Sequence, residues 1–280
     1  MKRIYGIFLL FCLFNVGIIF CEEAINEFDE KFAVSLFGNY NIGIFMQDQT
    51  EGFRTDEPWR IGLGFRYKKY AASFSVPVNF KFNSFDVELN SYFEKLYFET
   101  YLKRYQSYYD DKETENKNAG LDIMSAGVTA GWIHNNQNHS LSSVYALNEK
   151  QNISSGSFLY GFGVYYTSLY SDNTEIKHYD ERNHIIHFGP QAGYSYTLVL
   201  PHDMFININT SIGADLGISV TENKILFIPQ IKPKISFGHH NRTWSINAIM
   251  GSNAAILLWG VNNFDVLSPS TMTVTFSKRF

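Results

Sequence analysis

The sequence predicts an all-β fold, a transmembrane antiparallel β-barrel of about twelve strands, with ten to fourteen fitting the same pattern. Three observations predict it. Apolar and polar residues alternate with period two, over runs longer than the strands of soluble proteins. Aromatic residues make up 17% of the 280 residues against 18% charged, and rings gather near the ends of the runs. A basic and then apolar leader opens the chain, and an aromatic residue on an alternating run closes it. A bundle of membrane helices is excluded, because it needs repeated runs of about 20 apolar residues. Disorder is excluded by the 25 Phe and 18 Tyr, since a disordered chain is poor in aromatics.

Lys2 and Arg3 precede an apolar run, Ile4 to Phe20, broken by Asn15. This reads as a signal peptide over 1–21, with the barrel domain spanning 22–280. An uncleaved anchor helix is the weaker reading, because the run is short for a span. A lipid-carrying Cys21 is weaker too, because Phe20 is bulky where such sites take a small residue. Both cysteines, Cys12 and Cys21, lie in the leader. The remainder therefore has no disulfide framework, thiolate metal site or cysteine nucleophile. Without Lys2 and Arg3, 21 basic residues face 27 acidic ones, a net charge of −6. That is the wrong sign for a nucleic-acid partner.

Strands are predicted at 32–46, 58–68, 70–79, 90–104, 121–133, 139–148, 157–170, 185–200, 204–220, 229–238, 242–251 and 270–280. The clearest is 204–220. Ile206, Ile208, Ile212, Leu216, Ile218 and Val220 share one parity, and Asn207, Asn209, Ser211, Asp215 and Ser219 the other. At 58–68, Trp59, Ile61, Leu63, Phe65 and Tyr67 alternate with Arg60, Gly62, Gly64, Arg66 and Lys68. A span needs about 9–11 strand residues, which these runs supply. The stretch 85–109 reads either as one strand or as a hairpin turning near Glu94 and Lys95. Tight turns are predicted at 67–70, 134–139, 200–203 and 239–242, and long loops at 47–57, 110–120, 171–183 and 251–269. In a twelve-strand count the loop at 110–120 and the turn at 134–139 fall on the wrong sides. The hairpin reading corrects both, but a compensating strand is then needed later in the chain.

Met272, Val274, Phe276 and the final Phe280 share a parity. This looks like the terminal signal of bacterial outer-membrane barrels, with Phe276 and Phe280 as its aromatic residues. The likeness implies a place in the bacterial outer membrane, a lipid bilayer around the chain, and handling by the barrel assembly machinery. The stretches PWRIGLGFRYKKYAASFSVP (58–77), YFETYLKRYQSYY (97–109), GWIHNNQNHSLSSVYALNEKQNISSGSFLYG (131–161) and FGPQAGYSYTLV (188–199) span most of the chain after the leader. In them the sequence resembles a family known as domain of unknown function 4421. The resemblance implies an outer-membrane barrel and supplies no activity and no catalytic residues.

Charged residues on the polar parity are the candidates for a permeation path: Arg60, Arg66, Lys68, Asp215, Lys232, Lys234 and Arg279. Their functional reading is a solute-selecting lumen; the opposing one is a set of charge pairs that fill a narrow barrel. The eight histidines include His184 and His187, but spacing three sends neighbouring strand residues to opposite faces. No metal site and no cofactor are expected. Asn138, His139 and Ser140 hold the residue types of a hydrolase, but adjacent strand positions form no relay, and no enzyme is expected. The acidic stretch Asp110 to Glu115 lacks the spacing of a calcium loop. The sequence therefore favours a passive channel or transport-related barrel passing small solutes. The alternative is a surface-interaction or structural barrel with a packed lumen and functional loops.

Overall fold

A computed structural model describes residues 23–47, 51–55, 57–80, 82–106, 108–110, 120–172, 181–258 and 264–280. The signal-peptide reading, with Cys21, and much of the predicted loops 110–120 and 171–183 lie outside the described residues.

The strands are β1 (Ile25–Glu27), β2 (Phe32–Gln47), β3 (Glu51–Thr55), β4 (Trp59–Tyr67), β5 (Tyr70–Pro77), β6 (Phe85–Tyr92), β7 (Leu96–Gln106), β8 (Tyr108–Asp110) and β9 (Asp122–Ile133). A one-turn helix, α1 (Ser142–Tyr145), precedes β10 (Glu149–Gln151). Then follow β11 (Ser155–Tyr170), β12 (Asn183–Leu200), β13 (Met204–Ser219), β14 (Lys224–His240), β15 (Trp244–Ser252), β16 (Ala254–Leu258) and β17 (Phe264–Arg279). With β3 continuing into β4, β7 into β8 and β15 into β16, the large sheet has twelve staves. Each pairs antiparallel with its neighbours, and β17 closes on β2 from Arg279↔Ala33 to Asp265↔Gln47. Closure leaves no unpaired edge, which lipid would not tolerate.

The alternation points the apolar residues outward. On β4, Ile61, Leu63 and Phe65 are 41%, 49% and 51% exposed, while Arg60 and Arg66 between them are 2% and 5% exposed. A soluble barrel would reverse these faces. An apolar outer wall around a polar interior is the membrane arrangement. Glycines on the inner parity make room for rings. A Cβ on Gly131 would lie 2.2 Å from the Tyr97 ring, and one on Gly127 would lie 2.5 Å from Tyr165 and 2.7 Å from Tyr101.

The strand count agrees with the sequence reading through two offsetting corrections. The predicted strand 90–104 is a hairpin, β6 and β7, turning at Phe93–Lys95. The predicted strand 139–148 does not exist; that stretch belongs to an insert, 134–154, which holds α1 and β10. Serines account for this, since their hydroxyls compete with a ladder. The Ser143 amide donates to Ser140 Oγ at 3.0 Å, and Ser143 Oγ donates to the Ser140 carbonyl at 2.8 Å. Ser142 bonds Asn148, and Ser140 bonds Glu149. The predicted loop 251–269 is mostly strand, covered by β16 and the start of β17.

The short connections at 68–69, 93–95, 201–203 and 241–243 share one end with the insert and with Phe280. The opposite strand ends, among them Gln47, Pro77, Phe85, Asp122, Tyr170, Asn183, Ser219, Lys224 and Phe264, share the other. These are called the turn end and the loop end. The insert is the exception, a long connection at the turn end.

A plugged lumen as the candidate functional site

The insert turns back into the barrel. Leu141, Val144 and Leu147 are buried, at 2%, 0% and 3% exposed. Leu141 and Ala146 pack with Tyr92, Tyr97, Ile133 and Leu159, and Val144 and Leu147 pack on Phe205. Polar groups of the wall take up the insert's backbone, as buried carbonyls require. Asn247 Nδ2 donates to the Val144 carbonyl at 2.9 Å. Arg279 Nη1 donates to the Leu147 carbonyl at 3.0 Å and to Ser245 Oγ at 2.7 Å. The same guanidinium donates to the carbonyls of Asn241 and Trp244 in the last turn. Tyr145 stacks on Tyr92 with ring centroids 5.9 Å apart, and its hydroxyl reaches Asn207 and Asn209.

The first described residues pin the insert from beneath. β1 pairs with β10, Ile25↔Gln151 to Glu27↔Glu149. The Phe28 amide donates to the Asn148 carbonyl at 3.1 Å. The Phe28 ring lies 3.6 Å from the Arg279 guanidinium. Lys69, in the β4–β5 turn, bridges Glu27 and Glu149. Burial pulls the Lys69 ammonium down, but the two carboxylates outweigh it and raise its pKa. His139, at the insert's start, has its pKa lowered by burial to about 4, although the Ser155 carbonyl accepts from its Nδ1 at 3.2 Å.

Above the insert lies a charged layer. Lys103 pairs with Glu88 at 2.7 Å and Lys234 with Glu99 at 3.4 Å. Asp215 meets His187 Nδ1 at 2.7 Å and accepts from Gln230. Lys232 donates to the Tyr165 hydroxyl at 2.7 Å and to Gln191 Oε1 at 3.2 Å. Three lysines thus stand among three carboxylates. Between this layer and the insert is a cavity of about 60 Å³ lined by Tyr97, Glu99, Tyr101, Gln191, Lys232 and Lys234. It has room for a few water molecules at roughly 10–15 Å³ each.

Towards the loop end the interior turns apolar. Phe45, Tyr105, Leu121, Ile123, Leu169, Ile185, Leu226, Ile228 and Leu257 form one buried cluster. Apolar constrictions shed water and obstruct ions. Arg60 sits at its margin, 3.7 Å from Asp86 and 5.3 Å from the centre of the Tyr105 ring, and donates to the Ser75 carbonyl at 3.2 Å.

Of the residues proposed from sequence, Arg60, Arg66, Asp215 and Arg279 are buried in the interior, and Lys232 and Lys234 are partly buried there. Lys68 departs from its predicted inward place. It occupies the β4–β5 turn with φ 52° and is exposed, because the chain reverses at that residue. The charges fall in separate layers rather than one path: Arg66 and Arg279 beside the insert, Lys232, Lys234 and Asp215 above it, Arg60 near the apolar cluster. His139 and Ser140 turn to different partners, Ser155 and Glu149. Phe280 donates its amide to the Phe32 carbonyl at 2.9 Å, and Phe276 stacks on Trp244. The inward rings Tyr97, Tyr101 and Tyr165 were not singled out from sequence. Their signal is a glycine directly across the ladder, Gly131 opposite Tyr97 and Gly127 opposite both Tyr101 and Tyr165.

A family model described as Domain of unknown function (DUF4421) matches residues 28–265. No curated protein matches the chain. Among solved structures, the β domain of the Bordetella autotransporter BrkA aligns at 9% identity and a TM-score of 0.45, covering 89% of this chain and 100% of that one. The COG4313 outer membrane channel from Pseudomonas putida F1 aligns at 7% identity and a TM-score of 0.39, covering 94% and 100%. At these scores neither likeness assigns an activity.

Proposed function

The chain belongs to the family described as a domain of unknown function, DUF4421, and from that premise we propose an outer-membrane barrel with a packed lumen that meets its surroundings through its loops. The observation that carries this reading is the insert 134–154, whose buried core occupies the barrel at the turn end. The apolar cluster at the other end and the balanced charges between them support it. Charges of both signs in one layer select less by charge than a single-signed lining would. The turn end is then periplasmic and the loop end external, following the asymmetry of such barrels. Phe276 and Phe280 serve as the signal read by the assembly machinery, and residues 1–21 as the cleaved leader. The predicted loops 47–57, 110–120 and 171–183, with the residues between β16 and β17, are where an external partner is met.

A gated channel is the second reading, favoured by the polar cavity beside Lys232 and Lys234. In it the insert moves aside, and Arg60, Arg66, Asp215, Lys232, Lys234 and Arg279 line the way for small solutes. Swelling of proteoliposomes in small sugars separates the two. The packed-lumen reading expects no swelling beyond empty liposomes. Swelling by the unaltered protein establishes the channel reading instead.

A further inference from the structure

On the outer wall near the loop end, the register brings a polar group together where lipid-facing side chains would be expected. Arg104 of β7 shares its parity with the exposed Leu96 and Phe98, and Asp122 of β9 with Val128 and Trp132. Arg104 Nε and Nη2 donate to Asp122 at 3.1 and 2.9 Å. Arg182, just before β12, reaches the same carboxylate at 2.9 Å and donates to Ser168 Oγ at 3.3 Å. Its guanidinium lies 5.4 Å from the centre of the Tyr170 ring. Beside them, the Tyr166 hydroxyl and His184 Nδ1 share a hydrogen bond of 2.8 Å. Residues Arg104, Met124, Ser168 and His184 form one cross-strand row. The next row towards the membrane contains Leu102, Ala126, Tyr166 and Ile186, and the one after it Val128, Val164 and Phe188. Tyr166 thus stands at the edge of the apolar band, and the charged groups begin one row, roughly 7 Å of strand, beyond it.

Two guanidiniums share the one carboxylate of Asp122, so these three groups together carry one positive charge. An Arg–Asp pair alone would satisfy Asp122. The second arginine adds charge, and the Arg104 and Arg182 side chains remain 34% and 41% exposed. Of the other carboxylates nearby among the described residues, Glu222 pairs with Lys224 at 2.5 Å, and Asp172 and Glu181 are exposed. Planar guanidiniums side by side match the oxygens of a phosphate. We propose that Arg104 and Arg182, with His184 and Tyr166 beside them, form a site for the phosphate headgroup of an anionic lipid in the external leaflet. The site rests on the outer-membrane reading above for its orientation.

The test is native mass spectrometry of the full folded chain with bisphosphorylated lipid A, with the same lipid dephosphorylated, and with millimolar inorganic phosphate. The unaltered protein retains the phosphorylated lipid, discriminates against the dephosphorylated one, and is not stripped by inorganic phosphate. Arg104→Gln/Arg182→Gln weakens retention by roughly tenfold or more, while Asp122→Asn, which removes the internal competitor, keeps or strengthens it. Equal retention by the double variant, equal retention of the dephosphorylated lipid, or full displacement by inorganic phosphate would overturn the proposal. If the double variant does not fold, Asp122→Asn and the two lipid forms still decide it. Membrane fractionation is the separate check on location. A chain in the outer membrane without lipid discrimination sinks this site alone.

Discussion

The guanidinium of Arg279, one residue from the end of the chain, donates to the carbonyl of Leu147 at 3.0 Å. The last barrel strand thereby holds an insert that the chain made more than a hundred residues earlier. Arg279 lies on β17, which pairs with both β15 and β2. The strand that closes the barrel is thus also the one that holds the insert at the turn end.

Arg279→Ala leaves the carbonyls of Leu147, Asn241 and Trp244 without this donor. A lost hydrogen bond from a charged group costs about 1.5–3 kcal/mol. The expected result is faster amide exchange through 141–151, with strand amides of β12 and β13 unchanged. Uniform loss of protection across the barrel would mean that Arg279 acts on the whole fold rather than on the insert.

Acid should loosen the insert. Burial holds the His139 pKa at about 4, below the ordinary 6.5. The folded state thus favours the neutral ring. Its contribution is complete above about pH 6.5 and is lost as pH falls towards about 4, with at most about 3 kcal/mol at stake. Exchange protection of 139–151 should fall over that window, and His139→Asn should flatten the dependence. An unchanged profile in the variant would assign the loss to other groups.

Gly131 and Tyr97 form a size-matched pair. A Cβ on Gly131 lies 2.2 Å from the Tyr97 ring, and overpacking of this kind costs about 1–3 kcal/mol. Gly131→Ala should lower the urea midpoint of the folded barrel, and Tyr97→Ala in the same chain should recover much of the loss. Additive effects in the double variant would show that the two side chains do not compete for the same space.

Legibility from sequence followed the physics of each segment. β4 and β13 read clearly because one face meets lipid and the other a polar interior. β14 was predicted to start at 229 but starts at Lys224. There Ile225 and Phe227 face outward while Leu226 and Ile228 enter the apolar cluster, so both faces are apolar and the period vanishes. The β6–β7 hairpin was half hidden because its turn, Phe93–Lys95, has no Gly, Pro or Asn. The insert resembles a strand in sequence because Leu141, Val144 and Leu147 are apolar at short spacing, while its serine bonds are visible only in three dimensions. The charged candidates were legible by parity, Lys68 excepted. Their division into layers was not, because parity gives the face and not the partner.

The lumen itself offers the most direct measurement, conductance across a planar bilayer. The folded, inserted chain should be compared with a variant whose residues 136–152 are replaced by a short Gly-Asn turn. The unaltered chain should give no steady conductance and the shortened one open-channel steps, with ion preference altered by Lys232→Glu/Lys234→Glu. Steady conductance from the unaltered chain would contradict the packed lumen. Silence from a shortened chain that is demonstrably folded would show that the insert is not what closes it.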